Sequence, residues 1–379
     1  MKQFFNKGLY WEGIRQSTLV GIIMTSIMML GAIFTPLGYF AAQFIQESAT
    51  GSVPQKILVD GTSYNAVISV VFILFAPILS LVLYSFLNKR NTSDFYHSLS
   101  HKRETLFGSY FLAMITWLVG AMLLCTITSG ILYAIFMKYV MVNVTSVLVM
   151  LFNMFAASVL VAAVTTMVMA ITGTGFTNVI VGLLVLFLPR LLLVVFTSLI
   201  QSTSQIVPIE AFGILGDVSY NIPANLIFGL FTNPLNYTNM FTNWVSGLYT
   251  LILGLLYLAA AFILFKKRKS EVAGTSAPNR ILQNIYRVAV SFVICLIPCS
   301  LLVAMITGQY SMEVSAATLV GVATLYGLAL IVYFAYELIT TRKFVNLLKA
   351  LPALGVLVLL NVLFVGGVLG ANSVILNVK

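Results

Sequence analysis

The chain has 379 residues, of which 60% are hydrophobic and only 8% charged, with a net charge of +10 at neutral pH. That balance cannot clothe a water-soluble globule of this size, so it points to a protein solvated by lipid. The basic excess would suit nucleic acid, but it sits in the connections between apolar runs, where it acts on membrane topology instead.

Runs long enough to cross a hydrocarbon core of about 30 Å, which takes about 20 helical residues, recur from residue 17 almost to the C-terminus. They predict an all-α polytopic membrane protein of about nine spans: 17–40, 64–87, 109–137, 144–172, 175–200, 244–266, 288–307, 317–338 and 353–371. Continuous apolar runs exclude an outer-membrane barrel, whose strands would alternate.

The opening stretch "MKQFFNKGLYWEGIRQ" mixes aromatic and basic residues, as an interfacial helix does. The first span is too long for a signal-peptide core and reads as a retained anchor. Residues 41–63 form a polar, turn-rich loop.

After the second span comes "SDFYHSLSHKRETLF", Ser93 to Phe107, which gathers Asp94, His97, His101, Lys102, Arg103 and Glu104. As a helix over 94–107, it places Phe95 and Leu99 on one face with Leu106 and Phe107 continuing the strip, and leaves Lys102, Arg103 and Glu104 to point elsewhere. Such an amphipathic element either rests on headgroups or seats in the groove of a soluble partner. His97 and His101, four apart, could supply two metal ligands, but no obvious third accompanies them and no metal is expected.

The turn "GTGFT" between the fourth and fifth spans has glycines but no lysine, and no phosphate-binding loop occurs elsewhere. The fifth span holds Arg190, in "VLFLPRLLLVVF". A charge at that depth costs about 2.5–3.5 kcal/mol, so it is either paired structurally or lines a pathway. Residues 201–243 contain "IVPIEAFGILG" and "NIPANLIFGLF", half-span segments interrupted by Pro208, Pro223 and Pro234. They read as re-entrant segments or as an extracellular cap. The sixth span is followed by "RKSEVAG", Arg268 to Gly274, and "LQNIYR", Leu282 to Arg287; in the last span Gly366 and Gly370 make a GxxxG step.

Lys2, Lys7 and Arg15 before the first span, and the basic clusters at 89–103, 266–287 and 342–349, all fall on one side; the opposite side carries only Lys56, Lys138 and the terminal Lys379, with Glu47, Asp60, Glu210, Asp217 and Glu313. By the positive-inside rule the N-terminus is cytoplasmic and the C-terminus outside. Cys125, Cys295 and Cys299 lie in spans without metal or redox spacing. No catalytic cluster or nucleotide-binding motif is present, so neither an enzyme nor a cofactor is expected. A carrier driven by protons or sodium would keep carboxylates near mid-span, and none lies there.

The stretch "DFYHSLSHKRETLF" resembles the first cytoplasmic loop of bacterial ABC-2 type (type 2 ABC exporter) permeases of the Firmicute branch, and "RKSEVAG" with "LQNIYR" resembles that branch's second cytoplasmic motif. The resemblance implies a coupling helix near 93–107 that fits a groove on a separate ABC ATPase subunit, with docking positions Phe95, Tyr96, His97, Leu99, Arg103 and Glu104. In the second motif it marks Arg268, Ser270, Glu271, Gly274 and Gln283. Ser100 departs from the proline common in the family, although serine can cap a helix start. Longer members carry an extracellular domain beyond the last span, whereas this sequence stops at Lys379.

The expectation is therefore an exporter permease in a bacterial plasma membrane. Residues 1–266 would form a six-span core, with its N-terminal interfacial helix and coupling helix; 267–379 would add a cytoplasmic linker and three spans. It would pair with itself or a paralogous permease, contact membrane lipids and move an amphipathic, lipid-like or peptide cargo. The alternatives are an ATPase-coupled sensor or antibiotic-immunity protein, and an ATPase-independent secondary transporter.

Overall fold

The structure is a computed structural model. It describes residues 5–51, 56–64, 66–98, 101–203, 213–217, 220–226, 243–275, 277–307, 316–342 and 344–377. In chain order the elements are α1 (Lys7–Thr50), β1 (Ile57–Val59), α2 (Ala66–Leu83), α3 (Arg90–Ser98), α4 (Arg103–Ile135), β2 (Val140–Val142), α5 (Val144–Ile171), α6 (Gly175–Thr203), α7 (Trp244–Lys267), α8 (Arg280–Ile306), α9 (Ala316–Thr341) and α10 (Leu351–Asn377). Eight of these helices are long and apolar enough to cross a membrane. The ninth, α2, has 18 residues and is about 27 Å long, close to the hydrocarbon thickness. The chain is an all-α multi-pass membrane protein of about nine spans, as the apolar runs predict.

Asparagines placed just before apolar runs start several helices. Asn6, Asn143, Asn243 and Asn279 each cap one, accepting hydrogen bonds from backbone N–H groups in the first turn. Helix α1 is longer than expected: it runs unbroken from Lys7 until Gly51 ends it in the left-handed conformation at φ 62°. The expected separate interfacial helix and the first part of the 41–63 loop are both absorbed into it. Pro36 lies inside it without ending it, and its opening turns are held along α4, where the Asn6 N–H donates to Ser109 Oγ at 3.0 Å and Tyr10 meets Thr116 at 3.1 Å.

The described chain divides into two compact units, Met1–Gly173 with Ser219–Gly274, and Thr174–Val218 with Thr275–Lys379. This is a division by packing. The expected division at residue 266, into a six-span core and a linker with three further spans, belongs to the proposal below.

The centre of the first unit is α5, in which every residue from 156 to 170 is buried. Its run of Ala, Ser and Thr lets neighbouring backbones approach, which matters in lipid because apolar surface alone does not drive helices together. Helix α7 lies parallel to α5 in a seven-residue register: a Cβ at Gly247 would strike Asn153, and one at Gly254 would lie 3.1 Å from the backbone of Leu160. At the end of this unit away from the basic clusters, β1 and β2 pair in parallel, Ile57 with Val140 and Val59 with Val142. Strands of three residues are too short to give a period to read, and this pair was not anticipated.

The second unit packs α6, α8, α9 and α10. Phe292, Leu296, Ala329, Tyr333, Ala353 and Leu357 form its main core, and Leu199, Val303 and Val368 a smaller one. The Gly366–Gly370 step makes no close approach: a Cβ at either position would meet nothing within 4 Å.

Candidate functional site

At the basic end of the first unit, α2 passes through a short 3-10 turn, Ser85–Asn88, into α3. One face of α3 is fastened to the bundle. Ser93 is buried; Thr92 Oγ1 donates to the carbonyls of Phe86 and Lys89 at 3.1 and 2.9 Å; the Tyr96 ring packs on Phe86 with centroids 4.4 Å apart. The opposite face is open. Asn91, Asp94, Phe95 and Ser98 are all exposed, at the i, i+3, i+4, i+7 spacing of one helical stripe. Phe95, at 61% exposure, is the aromatic side chain on that stripe.

The single helix expected over 93–107 is thus two elements. Helix α3 ends at Ser98, whereas Arg103 to Phe107 form the first turn of the next span. The reason is burial: Leu106 and Phe107 are about 3% exposed, and the Phe107 ring packs on Phe265 and Phe262 at 5.4 and 5.7 Å. Leu99 and Ser100 lie outside the described residues, and of His97 only the backbone is described.

The second motif meets the first here. Arg268, the residue after α7, is 4% exposed and sends its guanidinium inward, donating to the carbonyls of Thr172 at 2.6 Å, Leu87 at 2.7 Å and Met169. One side chain thereby ties α7 to the ends of α5 and α2. Burial pushes its pKa down to about 10, so it is a cation at neutral pH, and charge-assisted bonds of this kind contribute about 1.5–3 kcal/mol each.

Arg103 donates in turn to the carbonyls of Lys266, at 3.1 Å, and Arg268, while Lys266 Nζ pairs with Glu104 Oε1 at 2.5 Å. Arg103 and Glu104 therefore point at the second motif rather than standing free. Ser270 is half-buried and Glu271 exposed, in a short turn, Ser270–Val272, that touches α3. Gly274, with φ 80°, donates its N–H to Gly173 O at 2.8 Å. A left-handed backbone there favours glycine, and it joins the "GTGFT" turn to "RKSEVAG". Lys89, Arg90, Lys102, Lys266, Lys267 and Lys269 are exposed in these same segments, giving α3 a positive surround suited to acidic protein surface or anionic headgroups.

Gln283 belongs to a different cluster, in the second unit. It donates to Glu337 Oε2 at 3.1 Å and Thr340 Oγ1 at 3.2 Å. Glu337 and Arg287 are fully buried and paired; Arg280 reaches Glu337 Oε1 at 3.3 Å; the Arg287 guanidinium lies 4.5 Å from the Tyr333 ring centre. Sequence reading missed this network, because each member looks like the flank of a span. The signal was a polar stripe at Arg280, Gln283, Asn284 and Arg287 running into the apolar part of α8. Arg190 is 4% exposed on α6 in the same unit. Of the 201–243 segment, residues 204–212, 218–219 and 227–242 lie outside the described residues, and with them most of the expected re-entrant region.

Comparison of the chain with protein-family models, with curated proteins and with solved structures returned no match.

Proposed function

We propose that this chain is the membrane permease subunit of an ATP-binding cassette exporter, and that α3 is the helix through which a separate cytoplasmic ATPase drives it. The observation that carries this reading is the two-faced character of α3. Its inner face buries Ser93 and is fastened by Thr92 and Tyr96, while its outer stripe of Asn91, Asp94, Phe95 and Ser98 is exposed. An amphipathic helix with one exposed aromatic anchor and flanking charges fits a protein groove better than headgroups alone: the aromatic supplies affinity and the charges set register. Phe95 is then a contact residue, with Tyr96 seating α3 on the bundle and Arg103 and Glu104 holding the second motif beside it; the sequence resemblance places all of these, with His97 and Leu99, in the docking set.

In this reading the basic end faces the cytoplasm of a bacterial cell. Residues 1–266 form the transport core and 267–379 the appended spans, and a second copy or a paralogue completes the pathway. ATP-driven closure of the ATPase subunits moves α3, and through Arg268 the ends of α2, α5 and α7 move with it, biasing the spans between inward-open and outward-open arrangements. Export and an amphipathic, lipid-like or peptide cargo follow from the resemblance.

Gentle extraction and purification test the proposal. An ABC ATPase is expected to co-purify, and Phe95→Ala to lower its yield at least tenfold while the permease melts at an unchanged temperature. Failure to recover any ATPase supports a secondary carrier. Stimulated ATP hydrolysis without cargo movement in vesicles supports an ATPase-coupled sensor or immunity protein.

A further inference from the structure

The second unit contains a cavity of about 330 Å³ between α8, α9 and α10, bounded by Cys295, Tyr326, Ala329, Leu357, Val358 and Asn361. We propose that it holds the acyl chain of a bilayer phospholipid, entering sideways from the hydrocarbon core. The proposal rests on the membrane-spanning character of the helices and is independent of the exporter reading.

Depth argues first. Asn361 is ten residues into α10, which places it about 15 Å along the helix, near the middle of a 30 Å hydrocarbon layer. Access is the second point. Val358 on the rim is 54% exposed, on a helix face that meets lipid tails at this depth. Chemistry is the third. The polar atoms around the cavity are already engaged with one another: Cys299 Sγ donates to Asn361 Oδ1 at 2.9 Å, Asn361 Nδ2 donates to Leu357 O at 2.7 Å, and Tyr326 Oη lies 3.5 Å from Cys299 Sγ. What remains toward the space is aliphatic and aromatic surface, which favours hydrocarbon over a headgroup or water. An empty space of this size would forfeit dispersion contacts on every wall, and a flexible chain restores them. Its volume lies within the range of ordinary small-molecule sites.

The test uses the full-length protein in phosphatidylcholine vesicles containing a phospholipid with a diazirine at mid-chain, with adducts mapped by mass spectrometry. Adducts are expected to concentrate on the cavity walls, above those on Leu255 and Leu256 of α7, which are exposed on an ordinary helix face. Ala329→Phe, which fills the space, and Val358→Trp, which blocks the rim from an exposed position, should each lower cavity adducts at least fivefold and leave those on α7 unchanged. Adducts spread evenly over exposed faces would overturn the proposal. So would cavity adducts that persist in Val358→Trp, a variant whose added bulk lies at the lipid-facing rim and leaves the core intact.

Discussion

Glu337 is fully buried with Arg287, its carboxylate shared with Gln283 and Arg280. A buried ion pair adds little stability over an apolar pair of the same shape, but removing one partner strands the other charge and costs about 3–5 kcal/mol. Glu337→Gln should therefore lower the melting temperature in detergent sharply, and Arg287→Met combined with Glu337→Leu should recover most of the loss. Equal damage from the single and double variants would show that the network does more than balance charge. Arg268 acts differently. Two of its three carbonyl acceptors, Met169 and Thr172, come from the end of α5 and the third, Leu87, from the turn after α2, so it works as a clamp; and because it stays cationic up to about pH 10, the clamp is insensitive to pH across the physiological range.

At the scale of elements, the seam between α5 and α7 depends on glycine. A Cβ at Gly254 would sit 3.1 Å from the Leu160 backbone, whereas one at Gly321 on α9 would meet nothing within 4 Å. Gly254→Val should destabilise by about 1–3 kcal/mol through overpacking, and Gly321→Ala should be nearly neutral; thermal melts of the two variants side by side check this. Such contrasts mark the limit of what sequence discloses. The nine spans were legible because a run of about 20 apolar residues has a single low-energy solution in lipid. Which glycines touch a neighbour was not legible: the GxxxG step in α10 has the pattern without the contact, while Gly247 and Gly254, seven apart, have the contact without that pattern. The polar island at 93–107 was visible as a site, yet its division into α3 and the first turn of α4 came from the burial of Leu106 and Phe107 under α7. Likewise, Arg103 and Glu104 read as free surface charges until the second motif, more than 160 residues away in sequence, was placed against them.

For the whole molecule, the account stands on orientation. Basic residues concentrate at the α3 end of the first unit, and energy from a soluble ATPase can enter only if that end faces the cytoplasm. The three cysteines, Cys125, Cys295 and Cys299, are buried and can be replaced by alanine, so that an exposed position on α3 reports alone. In that background, Asp94→Cys should resist a membrane-impermeant maleimide in intact cells and react once the membrane is permeabilised and the bound ATPase is stripped from α3. Full labelling of position 94 in intact cells would place α3 outside and contradict the account.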